Sequence, residues 1–260
     1  GFDSPHLLHG KHFFGSAFLS NKIIAARQYF LACLLFFHGG VPIKMKAAVF
    51  DMDGLMFDTE RLAMAAWDYA GEKMGLGKAG YMVMKTLGVT AECADEIWRE
   101  EFGADVDTEA MRRYGREFTD DFYEHNKVPV KYGLYELLDW LKSAGIKTAV
   151  ASSSTRRAVM RNLESAGIAD KFDVIVSGEM AARSKPAPDI YLKACELLGE
   201  SPKDCIALED SRNGLWAAHN AGCRVIMVPD LWQADKETEE ILWKKFANLL
   251  EVRNFLCGDE

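Results

Sequence analysis

Two carboxylates stand one residue apart directly after a short apolar run. The run Ala-Ala-Val-Phe at 47–50 is followed by Asp51 and Asp53, with Met52 between them and Gly54 after them. Because side chains alternate along an extended chain, Asp51 and Asp53 share one side of it and Met52 faces the other. Two acids this close raise the pKa of at least one of them unless a cation lies between them. The pair therefore indicates either a shared proton or a bound metal ion.

Further polar side chains follow the later apolar runs. Ser152 follows the run 147–151, Glu209 and Asp210 follow a run that begins at 205, and Lys185 precedes a helical pattern. Taken singly, the serine could cap a helix, the lysine could lie on the surface, and the acids could be a solvated strand end. Taken together they would meet at one edge of a parallel sheet, where acids cluster at a cost in stability unless a cation is bound.

This set of side chains suits phosphoryl transfer. Acidic oxygen ligands fit Mg²⁺, and the metal together with Lys185 would neutralise charge on the transferred group. Asp51 could then attack phosphorus and form an aspartyl phosphate. Asp53 could give a proton to the departing alkoxide and afterwards take one from water.

The elements that must position these residues follow from the apolar pattern. After Glu60 the spacing is helical as far as about Lys127, and from Val128 onward apolar strands alternate with helices. Such alternation predicts an α/β fold, with a parallel sheet covered by helices on both faces. We therefore expect an α/β core formed by residues 45–60 and 128–260. An all-helical cap, residues 61–127, would be inserted after the first strand.

The motifs in this order resemble the haloacid dehalogenase (HAD) superfamily, in the branch that carries a helical cap after the first motif. The resemblance covers about Met45 to the C-terminus and implies a Rossmann-like sheet with strand order 3-2-1-4-5. It implies Asp51 as nucleophile and Asp53 as general acid and base. It also implies the phosphate ligands Ser152, Ser153 and Lys185, and the Mg²⁺ ligands Asp51, Asp53 through its backbone carbonyl, Glu209 and Asp210.

Within the superfamily the chain is similar to β-phosphoglucomutase and to sugar-phosphate phosphatases, through residues 184–191 and 208–211. The mutase pattern has a histidine after the first motif and an arginine on the cap loop, where this chain has Ala63 and Ala91. We therefore expect a Mg²⁺-dependent phosphatase that hydrolyses a small phosphorylated metabolite, such as a sugar phosphate, through an aspartyl phosphate. The alternatives are a phosphomutase of the β-phosphoglucomutase type and a non-catalytic phosphate-binding protein on the same scaffold.

Substrate choice would depend on the cap and on the turn that leads into it. Candidate substrate contacts are Thr59, Glu60, Lys85 and Thr90. Each of them could equally be part of a solvated cap surface. These residues alone do not distinguish a sugar from a nucleotide or another small organic phosphate.

The composition of the chain limits the classes of partner that it is expected to bind. The chain of 260 residues has a net charge of −8 and no block of Lys or Arg, which argues against nucleic acid and against an anionic membrane surface. Six scattered cysteines without a C-x-x-C pair favour reduced thiols in a cytoplasm.

Residues 1–44 are predicted to be an introduced or upstream extension, with Met45 as the natural start. Their apolar stretch at 29–37 is too short to span a bilayer.

Overall fold

The chain divides into two compact units, residues 1–44 and residues 45–260. In the first unit, strands β1 (Leu35–His38) and β2 (Val41–Lys44) pair in antiparallel fashion. The computed structural model describes residues 35–38, 41–86 and 91–258. In that part of the chain, no helix has both the length and the apolar character needed to cross a bilayer.

The second unit is built on a six-stranded parallel sheet with the order β5-β4-β3-β6-β7-β8. This confirms the predicted α/β fold and the order 3-2-1-4-5, counted from β3 as the first strand, and adds a sixth strand at the edge. The strands are β3 (Ala47–Phe50), β4 (Lys147–Ala151), β5 (Val174–Val176), β6 (Cys205–Glu209), β7 (Arg224–Met227) and β8 (Leu242–Lys245).

The register of the central strands brings their carboxyl ends together. Phe50 of β3 lies opposite Val150 of β4 on one side and opposite Leu208 of β6 on the other. All residues of β3 and β6 are buried, as expected for strands covered on both faces. Consequently the residues that follow these three strands lie next to one another at one edge of the sheet.

Helices cover both the sheet and the connections between its strands. They are α5 (Leu134–Ser143), α6 (Arg156–Ala166), α7 (Asp189–Leu198), α8 (Arg212–Ala221), α9 (Lys236–Glu239) and α10 (Leu249–Cys257). Two of them begin in loops that carry predicted site residues. Thr155 Oγ1 accepts from the Ala158 N–H at the start of α6, and Ser211 Oγ accepts from the Gly214 N–H at the start of α8. The polar loops therefore also cap these helices.

A helical insertion connects β3 to β4. Its helices are α1 (Thr59–Lys73), α2 (Met82–Thr86), α3 (Ala91–Phe102) and α4 (Thr108–His125). It has an apolar core of its own, in which Met82 and Met111 are buried and the rings of Trp67 and Trp98 pack with centroids 5.4 Å apart. The periodicity after Glu60 thus corresponds to four helices that bury their apolar faces against one another.

Candidate active site

Asp51 lies at the carboxyl end of the central strand. Its side chain is almost buried, with 7% of the residue exposed, and its N–H donates to the Leu208 carbonyl at 3.0 Å. The next residue, Met52, is fully buried in the core, where its Sδ accepts from Asn162 Nδ2. Met52 therefore faces the core, on the side of the chain opposite to the Asp51 carboxylate.

Lys185 is the cation beside Asp51. Its Nζ donates to Asp51 Oδ1 at 2.5 Å and to Glu209 Oε1 at 2.6 Å, and only 7% of its side chain is exposed. Burial by itself would lower the pKa of Lys185, but Asp51 and Glu209 raise it above the ordinary lysine value. Tyr191 donates its hydroxyl to the same Glu209 oxygen at 2.7 Å. Lys185 is thus a charged ammonium fixed between two carboxylates.

Three acids form a buried cluster at this edge. Asp51, Glu209 and Asp210 offer oxygens that lie within 4.8 Å of one another. Burial raises the pKa of Asp51 and of Asp210 well above the ordinary value, and the neighbouring carboxylates raise them further, while Lys185 opposes the shift. Asp210 Oδ1 is buried without a hydrogen-bond partner. A cluster of carboxylate oxygens with an unused buried acceptor fits a divalent cation that prefers oxygen ligands, such as Mg²⁺.

Hydroxyl groups hold the Asp53 carboxylate. Thr59 Oγ1 donates to its Oδ1 at 2.8 Å, Ser154 Oγ donates to its Oδ2 at 2.7 Å, and Ser152 Oγ lies 3.4 Å from Oδ2. The sequence analysis did not predict Ser154 as a site residue, although its place in the serine run 152–154 indicated that it lies near Ser152. Thr59 was predicted as a substrate contact, and in the structure it orients Asp53.

The serine loop, residues 152–154, contains residues that differ in how far they are exposed. Ser152 is fully buried, and its Oγ also accepts from the Ser154 N–H at 3.0 Å. Ser153 is exposed, and its carbonyl packs so closely on Gly178 that a Cβ there would lie 2.2 Å from the carbonyl oxygen. The structure therefore brings Ser152 to the acids and leaves Ser153 at the surface.

Two glycines make room for the acids. Gly54 has φ of +85°, and a Cβ at this position would lie 2.2 Å from Asp210 Oδ2. A Cβ at Gly214 would lie 1.9 Å from Glu209 Oε1. Both carboxylates thus pack directly on glycine backbone, and this explains why the first motif and the start of α8 each contain a glycine.

The sequence that carries this site matches a known hydrolase family. The sequence profile described as "haloacid dehalogenase-like hydrolase" matches residues 45–222, which include every acid of the cluster. The chain belongs to this family. The predicted family and the predicted class of enzyme, a HAD-type hydrolase, are thereby confirmed.

Named relatives of this HAD hydrolase include phosphatases and a mutase. It is 32% identical over 197 residues to hexitol phosphatase B of Escherichia coli K12, covering 72% of this chain and 85% of that protein. It is 33% identical over 184 residues to β-phosphoglucomutase of Bacillus subtilis, covering 68% and 80% of the two chains. The crystal structure of CbbY from Rhodobacter sphaeroides in complex with phosphate superposes with a TM-score of 0.67 at 28% identity, covering 80% of this chain and 96% of that one.

A network of ion pairs lies where the cap of this HAD hydrolase joins the core. Asp230, after β7, pairs with Arg61 of α1 and with Lys131 on the returning segment, each at 2.6 Å. Arg61 also pairs with Asp58 at 2.8 Å. These long-range pairs tie both connections of the helical insertion to one loop of the core, and sequence reasoning did not find them.

Glu60 is buried beside this network. Burial raises its pKa to about 7, helped by the charges of Asp230 and Asp53, and its Oε2 has no hydrogen-bond partner. Its carboxyl carbon would lie 3.3 Å from a Cβ at Gly54, so it adjoins the first motif. Glu60 therefore lies beside the first motif, and its contact with substrate stays a prediction.

The remaining substrate candidates lie farther along the cap. Lys85 is partly exposed and forms an ion pair with Glu101. Thr90 lies outside the described residues. In the described part of the chain Lys85 forms no ion pair with the acidic cluster, and both residues stay predictions as substrate contacts.

Proposed function

We propose that this HAD hydrolase is a Mg²⁺-dependent phosphatase that hydrolyses a small phosphorylated metabolite of the sugar phosphate class. The observation that carries the proposal is the buried Lys185, held at 2.5 Å from Asp51 beside the unpaired oxygen of Asp210. A carboxylate can approach an anionic phosphoryl group only where cations offset the repulsion. The names of the relatives agree, since one is a hexitol phosphatase and another was crystallised with phosphate.

Asp51 is the proposed nucleophile. One of its carboxylate oxygens forms a bond to phosphorus as the bond from phosphorus to the ester oxygen breaks, leaving an aspartyl phosphate and an alkoxide. Lys185 adds positive charge at this point, and Ser152 at the neighbouring strand end can donate its hydroxyl to a phosphoryl oxygen. The buried position of Asp51 excludes water from the nucleophile before the substrate enters.

Asp53 is the proposed proton carrier. In the first step the protonated carboxyl group of Asp53 gives its proton to the leaving alkoxide, and in the second the resulting carboxylate takes a proton from a water molecule. That water attacks phosphorus, the bond to Asp51 breaks, and inorganic phosphate leaves. The hydrogen bonds from Thr59 and Ser154 fix the orientation of the Asp53 carboxylate.

Asp51, Glu209 and Asp210, together with the backbone carbonyl of Asp53, are the proposed Mg²⁺ ligands. When bound, the metal supplies positive charge that stabilises the transferred phosphoryl group. Glu209 also accepts from Lys185, Tyr191 and Ser211, so it fixes the lysine whether or not it contacts the metal directly. Asp51 and Asp210, whose pKa values burial raises, would regain their charge beside such a cation.

The cap favours hydrolysis over phosphate transfer between positions of one sugar. Ala63 stands where the mutase pattern has histidine, and it lies one turn after Glu60 on α1. Together with Trp67 and Gly115 it lines a cavity of about 220 Å³ between α1 and α4. We place the leaving group on this side of the cap. A second phosphate group on the substrate would therefore have no histidine side chain at position 63 to bind it.

The test is release of inorganic phosphate by the purified full chain across a panel of phosphate esters. The panel contains p-nitrophenyl phosphate, hexitol phosphates, pentose and pentulose phosphates, and both anomers of glucose 1-phosphate. We expect turnover with Mg²⁺, loss of turnover with EDTA, and recovery when excess Mg²⁺ is added. The absence of turnover on the whole panel would contradict the proposal, and formation of glucose 6-phosphate would identify the chain as a mutase.

A further inference from the structure

A further cavity lies where the cap helix α4 ends. Its volume is about 800 Å³, and it is bounded on one side by α4 and the segment after it and on the other by α6 of the core. The residues used below are Tyr123 and Lys127 from the cap side, and Arg157, Arg161 and Glu164 from α6. None of them has a part in the proposed phosphatase chemistry.

The cavity carries a local positive charge in an acidic protein. Lys127, Arg157 and Arg161 contribute three cations and Glu164 one anion, whereas the chain as a whole has a net charge of −8. In the part of the chain that the structure describes, neither Lys127 nor Arg157 has a carboxylate oxygen within 4.0 Å. Their charges are therefore not compensated by the protein, which is the condition for attracting an anion.

Arg161 is held in place with a donor unused. Its guanidinium lies 3.7 Å above the Tyr123 ring, a cation–π contact that fixes the plane of the group. Its Nε is buried and has no hydrogen-bond partner. The carboxylate of Asp120 is 3.9 Å from Nη1 and largely exposed, so it neutralises the group only weakly. An oxyanion in the cavity could accept from the Nη groups of Arg161, as guanidinium groups bind phosphate.

The two arginines are spaced to bind one ligand. Arg157 and Arg161 are four residues apart on α6 and so lie on the same face of the helix, about 6 Å apart along its axis. Lys127 faces them from the segment after α4. A tetrahedral oxyanion has several acceptor oxygens and could contact more than one of these side chains.

We propose that this cavity is a second anion site, which binds inorganic phosphate or the phosphate group of a small molecule independently of the acidic cluster. The ligand would contact the cap through Lys127 and the core through Arg157 and Arg161. Thr155, the residue that caps α6, directly follows the serine loop of the catalytic edge. The proposed site therefore involves the same helix whose first residues follow this serine loop.

Calorimetric titration of the full chain with inorganic phosphate, in the presence of Mg²⁺, tests the proposal. We expect two binding events in the unaltered protein and one in the double variant Arg157→Gln/Arg161→Gln, whose affinity at the second site falls at least about tenfold. Arg156→Gln is the matched control, because it removes the same charge from the same helix at a residue that does not line the cavity. A melting curve verifies that each variant remains folded.

A second measurement makes the assignment independent of phosphatase activity. In protein with isotopically labelled arginine nitrogens, the Nε–H resonance of Arg161 should shift on addition of phosphate, in both the unaltered chain and Asp51→Asn. Titration with glucose 6-phosphate under metal-free conditions shows whether an organic phosphate is also accepted. A single binding event in the unaltered chain, or an Arg161 resonance that does not respond to phosphate, would overturn the proposal, whatever the outcome for catalysis.

Discussion

Asp51→Asn should lower phosphate release at least about 10³-fold while leaving the protein folded. The amide has the shape of the carboxylate but is not a nucleophile, so the aspartyl phosphate cannot form. Burial and the neighbouring acids raise the pKa of Asp51. They therefore disfavour its negative charge in the native state, and Lys185 is the group that stabilises this charge. Removing this charge relieves repulsion with Glu209 and Asp210 and offsets the lost ion pair. The measurement is steady-state turnover of p-nitrophenyl phosphate beside a melting curve.

Asp139→Asn is the matched control for this substitution. Asp139 lies on α5, and its largely exposed side chain pairs with Lys171 on the surface. The same chemical change there should leave turnover within about twofold, because surface ion pairs contribute little. Turnover of Asp51→Asn close to that of the control would show that another group attacks phosphorus.

Lys185→Gln should lower both activity and stability. Asp51 and Glu209 would lose their shared cation, which leaves two buried carboxylates without a compensating charge, although Glu209 keeps its hydrogen bonds from Tyr191 and Ser211. Breaking a buried ion pair on one side costs about 3 to 5 kcal/mol of unfolding free energy. The pKa of Asp51 would rise further as the opposing charge is removed, so less of the nucleophile would be ionised at neutral pH. We expect at least about a hundredfold loss of turnover, of the order seen when one electrostatic stabiliser is removed.

Lys193→Gln is the matched control for Lys185→Gln. Lys193 lies on α7, where it pairs with Glu196 at 3.0 Å on the surface. Chemical denaturation of the three proteins, followed by circular dichroism, gives the unfolding free energies. If Lys185→Gln matched the control in stability and in turnover, Lys185 would not be the cation that the acidic cluster depends on.

Local sequence patterns predicted the parts of the site that lie on regular elements. The apolar run before Asp51 predicted a buried strand, and the alternation placed Met52 on the opposite side. The helical spacing from Glu60 to about Lys127 predicted the helical insertion after the first strand. Because the carboxyl ends of parallel strands meet at one edge, the juxtaposition of Ser152 with Glu209 also followed from sequence. These inferences need only the periods of two and 3.6 residues.

Contacts between distant loops could not be predicted in the same way. Tyr191 donates to Glu209, and Asp230 pairs with Arg61, but no spacing relates these residues along the chain. The edge strand β8 was missed because its sequence, Leu-Trp-Lys-Lys at 242–245, is short and half polar, as edge strands often are. In each case the determinant is where tertiary packing places a side chain, and that information is absent from local periodicity.

The measurement that tests the central claim most directly is chemical trapping of the covalent intermediate. Rapid acid quench during turnover of a phosphate ester, followed by borohydride, reduces an aspartyl phosphate to homoserine, which peptide mass spectrometry locates in the sequence. We predict homoserine at position 51 in the unaltered chain, dependent on substrate, and none in Asp51→Asn. Steady release of phosphate with no modification at position 51, or with the modification at another carboxylate, would contradict the account.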